Sequence, residues 1–141
     1  MNRVRIAKGT TIDQIRHVFG GTIPEWHPDE FIQSRLRSGY VFVALDENDH
    51  PIGFLIYSIW WGNCPFIELI KVVEDMRGMG IGSQLLDVAK AEIKAKGFEM
   101  LIASSEMTNM LGQKFHEKLG FKKLNSLVLP HGEEQFFGIN L

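Results

Sequence analysis

The most distinctive chemical feature of the sequence is a glycine-rich segment, residues 77–82, which reads Arg-Gly-Met-Gly-Ile-Gly. Glycine allows a tight backbone turn and lets a ligand approach the main chain without a side chain in the way. The apolar periodicity that begins at Ile81 predicts a helix, whose first turn offers unpaired N–H groups and the positive end of the helix dipole. The segment is therefore a candidate pyrophosphate-binding loop, although a strand-to-helix turn without a ligand would also require small residues.

Two well-known phosphate-binding motifs do not fit the spacing of these glycines. A dinucleotide-binding fingerprint needs the order G-x-G-x-x-G, whereas the order here is G-x-G-x-G. A Walker loop ends in Gly-Lys followed by Ser or Thr, and this ending is missing from the segment. Both motifs are therefore disfavoured.

Glu68 is the candidate general base, because it is a carboxylate within an otherwise apolar predicted strand. A period of two places it on the same strand face as Phe66, Ile70 and Val72, where a carboxylate is unusual. Apolar surroundings make a carboxylate a stronger base, which suits proton removal at a reacting group. The alternative is a carboxylate at the rim of a cleft that pairs with a lysine or an arginine.

His116 is the candidate general acid, and it follows Asn109 by seven residues in a predicted helix. Seven residues are almost two helical turns, so these two side chains share one face of the helix. That face is offset from the predicted core stripe of Leu111, Phe115 and Leu119. An imidazolium, with an ordinary pKa of about 6.5, can protonate a departing group. The alternative is that His116 only forms hydrogen bonds and packs, with water as the proton source.

The elements that position these candidates follow from hydrophobic periodicity and from turn signals. We predict an α/β fold with a mixed central sheet of about seven strands and about four helices. Short turns around the second, third and fourth strands predict an antiparallel meander, and the strand–helix–strand unit after residue 66 predicts a right-handed crossover. The predicted strands are 4–7, 40–45, 52–61, 66–73, 98–103, 121–129 and 135–141, and the predicted helices are 11–19, 28–38, 81–96 and 108–119.

The composition excludes several classes of protein. The chain has 141 residues, 45% of them apolar and 23% charged, which fits one globular domain over residues 1–141. Its 15 basic and 17 acidic residues do not provide the dense basic surface that nucleic-acid binding needs.

The longest apolar stretch, residues 54–61, is far shorter than the roughly 18 residues that span a membrane, and the first residues lack a signal-peptide core. The single cysteine, Cys64, has no partner for a disulfide or at metal-ligand spacing, so we expect a cytoplasmic protein without a metal site.

Two separated segments resemble the signatures of the GCN5-related N-acetyltransferase (GNAT) superfamily. Residues 77–82 match the signature R/Q-x-x-G-x-G/A of that superfamily. Asn109 and the segment Phe-His-Glu-Lys-Leu-Gly-Phe at 115–121 resemble its second signature, an Asn followed by a helix end F-Y-x-K-L-G-F. The chain departs from the pattern at two positions, because Glu74 stands where a proline is common and His116 stands where a tyrosine is common. The order of predicted elements is similar to the GNAT fold, and the resemblance covers most of the chain.

The resemblance implies an N-acetyltransferase in which an amine attacks the thioester of acetyl-CoA, or of a related acyl-CoA, directly. It implies that the N–H groups of the glycine-rich segment hold the pyrophosphate and that Val72 and Val73 pair with the pantetheine amides like a neighbouring strand. Asn109 would contact the pantetheine side of the cleft. The co-substrate residues implied in this way are Val72, Val73, Arg77, Gly78, Met79, Gly80, Ile81, Gly82, Ser83 and Asn109.

The acceptor amine is not identified by the sequence. In the GNAT superfamily the loop between the first two helices borders the acceptor site, which makes Trp26 a candidate contact, and Trp60 and Trp61 at a strand end are two more. A surface loop anchored by one tryptophan is the alternative for Trp26. A small molecule or a peptide would serve as acceptor, and the resemblance also suggests a homodimer. Two competing functions stay open, a silent acyl-CoA sensor and an acyltransferase with a longer acyl donor.

Overall fold

The computed structural model describes residues 3–141 and contains seven strands and four helices, as predicted. The longest helix has 15 residues, and no helix within residues 3–141 is long and apolar enough to cross a membrane. The strands are β1 (Arg5–Lys8), β2 (Val41–Leu45), β3 (Pro51–Trp60), β4 (Cys64–Val72), β5 (Met100–Glu106), β6 (Lys122–Leu129) and β7 (Gly132–Asn140). The helices are α1 (Ile12–Val18), α2 (Asp29–Ser38), α3 (Ile81–Ala95) and α4 (Met110–Lys118), and a short 3₁₀ turn covers Glu74–Met76.

All seven strands form one mixed sheet in the order β1-β2-β3-β4-β5-β7-β6. The meander of β2, β3 and β4 is antiparallel, as predicted, and β4 and β5 are parallel with α3 between them in the chain, which confirms the strand–helix–strand unit. The parallel pair is joined at one position only, Phe66 opposite Ile102, although the strands continue to Val72 and Glu106. The two strands therefore separate towards their carboxyl ends, and a cleft opens in the middle of the sheet.

A β-bulge in β4 changes the direction of Glu68. Tyr57 of β3 lies opposite Ile67 and Ile56 lies opposite Leu69, so Glu68 has no partner in the register. One extra residue of this kind breaks the alternation of side chains along a strand. Ile70 packs on the α3 side of the sheet, whereas Glu68 contacts Arg35 of α2 on the opposite side. The prediction that Glu68 shares a face with Ile70 and Val72 is therefore wrong, because strict alternation cannot anticipate a bulge.

Apolar clusters on both faces of the sheet hold the helices in place. Helix α3 buries Leu85, Ala89 and Ile93 completely on one face, at the helical spacing that the sequence shows. Ile15 of α1 and Ile32 of α2 are buried completely on the other face, against β2 and β3. Because α3 is fixed along its whole length, its amino end is held next to the carboxyl end of β4.

Helix α4 buries the predicted stripe only in part, because Leu119 packs against the core and Phe115 is half-buried. Leu111 is 81% exposed, whereas Gln113 and His116 are buried. Polar partners explain the difference, because the amide of Gln113 donates to the carbonyl of Met107 and His116 contacts Ser105 of β5. The helix is therefore docked by hydrogen bonds as well as by apolar contacts.

Candidate active site

The cleft between β4 and β5 exposes a main-chain edge at Val72. The N–H of Val73 donates to the carbonyl of Ile52 at 2.9 Å, and its carbonyl accepts from the N–H of Met76 at 3.0 Å. Main-chain groups of neighbouring strand residues point in opposite directions, so those of Val72 point away from β3 into the cleft. Arg77 Nε reaches the Val72 carbonyl from that side at 3.2 Å. Of the two residues expected to pair with pantetheine, only Val72 presents both main-chain groups to the cleft.

The glycine-rich segment forms an open loop at the amino end of α3. Gly78 and Gly80 both have φ 81°, in the left-handed region that glycine adopts readily, and a Cβ on either would meet nothing within 4 Å. Within residues 3–141, no hydrogen bond uses the N–H groups of residues 78–83. These N–H groups therefore have no protein partner at the positive end of the α3 dipole, and the main chain is open around Gly78 and Gly80, whereas Ile81 and Gly82 are buried.

Gly82 has a packing role that differs from that of the two loop glycines. A Cβ at this position would lie 2.9 Å from Cζ of Phe115 in α4. The small residue therefore allows α4 to approach the first turn of α3. Ile81 is buried beneath the loop, whereas Arg77 and Ser83 are exposed at its two ends. The loop thus has an exposed backbone, while the buried side chain of Ile81 fixes it to the rest of the protein.

Glu68 forms a two-point ion pair with Arg35 of α2. Arg35 Nε lies 2.7 Å from Glu68 Oε1, and Nη2 lies 3.2 Å from Oε2. The glutamate side chain is 12% exposed, and the guanidinium lies over the Phe31 ring at 4.3 Å from its centre. The sequence-based alternative, a carboxylate paired to a basic residue, therefore describes its surroundings. The pair fixes the orientation of the carboxylate, and the longer contact leaves Oε2 as the more available oxygen.

His27 joins this cluster from the loop between α1 and α2, which the family resemblance places beside the acceptor site. Its half-buried ring lies 6.2 Å from the Phe31 ring and 6.4 Å from the Phe19 ring. Burial lowers the pKa of His27 below its ordinary value, and the nearby Glu68 carboxylate opposes that shift. The loop between α1 and α2 thus places a mainly neutral imidazole near the ion pair. Its position next to Trp26 in that loop was the available sequence signal.

The three candidate tryptophans occupy different places. Trp60 stacks on Phe66 with ring centres 4.1 Å apart, at the closed end of the cleft where β4 and β5 pair. Trp61 is 86% exposed just after β3, and its ring lies 6.0 Å from that of Trp60. Trp26 is 77% exposed and contacts His27. Among the described residues, no ring contact joins Trp26 to the other two.

His116 lies in the protein interior next to β5 and β7. Its Nδ1 is 2.8 Å from both Ser105 Oγ and the carbonyl oxygen of Gly112. A carbonyl oxygen only accepts hydrogen bonds, so Nδ1 carries a proton and donates it there. The ring stacks on Phe137 at 5.0 Å, and burial lowers its pKa, opposed by the Gly112 carbonyl and by Glu134. These surroundings favour the second alternative, in which His116 forms hydrogen bonds and packs.

Thermal stability is expected to fall when the pH is lowered from about 7.5 to about 5.5, and His116 is expected to cause part of that fall. Its pKa is lower in the folded protein than in the unfolded chain, so the unfolded chain binds a proton first. The stabilisation is complete above the ordinary pKa of histidine and is lost as the pH falls below it. In His116→Phe the dependence of the melting temperature on pH should be shallower, with a remaining slope from His27.

Turnover measurements on two substitutions separate packing from acid catalysis at this position. If His116 only packs, His116→Phe and His116→Tyr should have similar turnover. An active tyrosine variant beside a folded but inactive phenylalanine variant would instead support a general acid, because only the phenol supplies a proton donor.

The stability prediction for His116 has its own contradicting outcome. If the melting temperature of His116→Phe depended on pH as steeply as that of the parent, His116 would not cause the fall in stability.

Asn109 is the N-cap of α4. Its Oδ1 accepts a hydrogen bond from the N–H of Gly112 at 2.9 Å, which satisfies one of the free donors of the first turn. The residue is exposed at the end of the loop that follows β5. The same side chain thus has a structural function at the start of α4, and its contact with pantetheine stays a prediction.

Acyl-CoA-dependent transferases of the GNAT type share one arrangement. Their sheet opens between two parallel strands, in front of a helix whose first N–H groups have no partner. The family comparison agrees with this class, because the model of the acetyltransferase (GNAT) family matches residues 12–121. The chain belongs to this family. The fold class predicted from the sequence is confirmed by the seven-stranded mixed sheet and its four helices.

Individual relatives show how far the similarity extends. The chain is 30% identical over 97 residues to an L-methionine sulfoximine/L-methionine sulfone acetyltransferase of Pseudomonas paraeruginosa, covering 65% of this chain and 56% of that protein. It is 28% identical over 142 residues to an N-alpha-acetyltransferase of Sulfurisphaera tokodaii, covering 92% of this chain and 84% of that protein. A crystal structure of a GNAT family acetyltransferase from Elizabethkingia anophelis with acetyl-CoA bound has a TM-score of 0.70 at 19% identity, with 98% of each chain covered. The chain thus spans little more than half the length of the first of these relatives.

Proposed function

We propose that this protein is an N-acetyltransferase that moves the acetyl group of acetyl-CoA to a primary amine by direct attack. The observation that carries the proposal is the run of six unpaired N–H groups, residues 78–83, beside the open edge of β4. Support comes from the family match and from the Elizabethkingia relative, whose structure holds acetyl-CoA. A thioester bound there would lie between the glycine-rich loop and the closed end of the cleft.

The residues present fit the co-substrate. The open space at Gly78 and Gly80 leaves room for a pyrophosphate, and the free donors and helix dipole suit its charge. The main-chain groups of Val72 face the cleft and suit pairing with the amides of pantetheine, while Arg77 lies at the edge of that cleft. When bound, acetyl-CoA supplies an activated acetyl group. The protein's part is to hold it and to bring an amine to it.

Glu68 is the proposed acceptor of the proton that the attacking amine loses, and water supplies the proton that the departing CoA thiolate takes up. An alkyl ammonium has a pKa of about 10.4, so a base or a chain of water molecules must take its proton. Arg35 is a positioning residue in this proposal, because its two contacts hold the carboxylate in one orientation. The proton reaches Oε2 through water, or as the amine displaces the longer contact to Arg35.

The relatives suggest the first acceptors to test. One relative is named for an amino-acid sulfoximine and sulfone, and another is named for α-amino acetylation. The proposed acceptor contacts are two exposed tryptophans, Trp26 and Trp61, and the cluster of Glu68, Arg35 and His27. The cytoplasmic location and the homodimer expected from the sequence stay predictions.

Acetyl-CoA should release free CoA thiol only when an amine acceptor is added. The assay is thiol release with a panel that includes methionine sulfoximine, methionine sulfone and peptides with a free amino terminus. Mass spectrometry should find an acetyl group on the acceptor. Saturable acetyl-CoA binding without turnover on any amine would identify a sensor instead. Turnover with longer acyl-CoAs but not with acetyl-CoA would identify an acyltransferase with a longer acyl donor.

A further inference from the structure

Three side chains with metal-ligand atoms converge where β5 ends beside the turn between β6 and β7. They are Glu106 at the end of β5, His131 in the turn and Glu134 in β7, and their ligand atoms all lie within 4.8 Å of one another. His131 Nε2 is 3.0 Å from Glu134 Oε1. Glu106 and Glu134 are direct cross-strand partners in the register. The sheet therefore places the two carboxylates side by side.

The cluster carries negative charge that the described side chains do not balance. Like charges directly opposite each other on neighbouring strands repel. Glu134 is only 8% exposed, and burying an ionised carboxylate is costly unless a cation pairs with it. Within residues 3–141, no lysine or arginine lies in ion-pair distance of either glutamate, and the imidazole of His131 is the partner of Glu134. A buried carboxylate without a permanent cation points to a cationic ligand.

We propose that Glu106, His131 and Glu134 bind a divalent transition metal ion of the zinc type. Zinc takes imidazole nitrogen and carboxylate oxygen at about 2.0–2.2 Å, which puts its ligands roughly 3–4 Å apart. Glu134 is fixed by burial, while the exposed Glu106 and His131 have room for the small adjustment that this requires. The imidazole favours zinc over calcium or magnesium, which prefer oxygen ligands alone. The exposed side leaves a fourth position for water.

The proposed ion would link parts of the chain that only the fold brings together. It would join the end of β5 to the β6–β7 turn, next to the main-chain bond from Met107 N–H to the Glu133 carbonyl, 2.8 Å long. The sequence does not predict this site, because the three ligands do not show a recognisable spacing along the chain. The proposal does not depend on acetyl transfer, since none of the three residues belongs to the proposed acetyl-CoA site.

Metal binding by the full chain, stripped with a chelator, is the test. Calorimetry with Zn²⁺ should show one saturable equivalent, and Co²⁺ should give the visible absorption of a nitrogen- and oxygen-ligated ion. His131→Ala and Glu134→Gln should each weaken Zn²⁺ binding at least about tenfold. Because His131 is exposed, its substitution tests the site even if Glu134→Gln fails to fold.

Two matched substitutions serve as controls. Glu133→Gln changes the neighbouring glutamate, which bonds Ser126 instead, and His50→Ala removes another exposed histidine that lies near a carboxylate, Asp46. Both should bind Zn²⁺ like the parent. Non-saturable binding, or equal affinity in His131→Ala, would reduce the site to an adventitious ion only and overturn the proposal. A raised KM for the amine in Glu134→Gln, without any zinc binding by the parent, would overturn it in favour of an ammonium-binding site.

Discussion

Gly80→Asp is expected to weaken acetyl-CoA binding by roughly 100-fold or more. A loss of this size corresponds to one or two charge-assisted hydrogen bonds. The new carboxylate would stand among the free N–H groups of residues 78–83 and would compete with the pyrophosphate for them. Its negative charge would also oppose the phosphates at the positive end of α3. Nothing lies within 4 Å of the new Cβ, and aspartate tolerates a left-handed backbone better than most residues, so the fold should persist.

Calorimetric titration with acetyl-CoA measures this effect, and circular dichroism checks the fold. Gly97→Asp is the matched control, because Gly97 also has a left-handed backbone, φ 98°, and open space around it, at the opposite end of α3. The control should bind acetyl-CoA like the parent. Equal affinities of the two variants would remove the glycine-rich loop from the binding site.

Glu68→Gln is expected to reduce turnover by roughly 10²–10⁴-fold, the usual contribution of a general base. Glutamine keeps the shape of the side chain and one contact to Arg35 but cannot accept the proton. The loss should be larger at low pH, where more of the amine is protonated. Affinity for acetyl-CoA should change little, because Glu68 lies on the α2 side of the sheet, away from the loop. Steady-state kinetics over a range of pH with an identified acceptor provides the measurement.

Two further substitutions distinguish a base from a structural ion pair. Arg35→Met removes the guanidinium but leaves the carboxylate, so considerable turnover should remain if Glu68 is the base. Glu117→Gln removes another ion-paired glutamate, 3.6 Å from Lys123 on the surface, and should leave turnover unchanged. If Glu68→Gln and Arg35→Met lose turnover and melting temperature by the same amounts, the pair has only a structural role.

Local signals in the sequence determined the order and type of the elements and the place of the glycine-rich loop. Hydrophobic periodicity distinguishes strand from helix because the side chains of one element repeat every 2 or 3.6 residues. Ile81, Leu85, Ala89 and Ile93 recur at helical spacing in α3 and are buried, whereas Val88 in the same pattern is 37% exposed. The positive φ of Gly78 and Gly80 is likewise a local property, which glycine makes available wherever the chain turns sharply.

Only the tertiary structure decided the surroundings of the candidate catalytic residues. The bulge turns Glu68 to Arg35, 33 residues earlier in the chain, and the docking of α4 buries His116 against Phe137. The side-chain cluster that includes Glu106 and His131 joins positions from separate strands and a turn. Such contacts depend on register, on bulges and on how helices dock, which many residues distant in sequence set together. Periodicity along one segment contains no information about them.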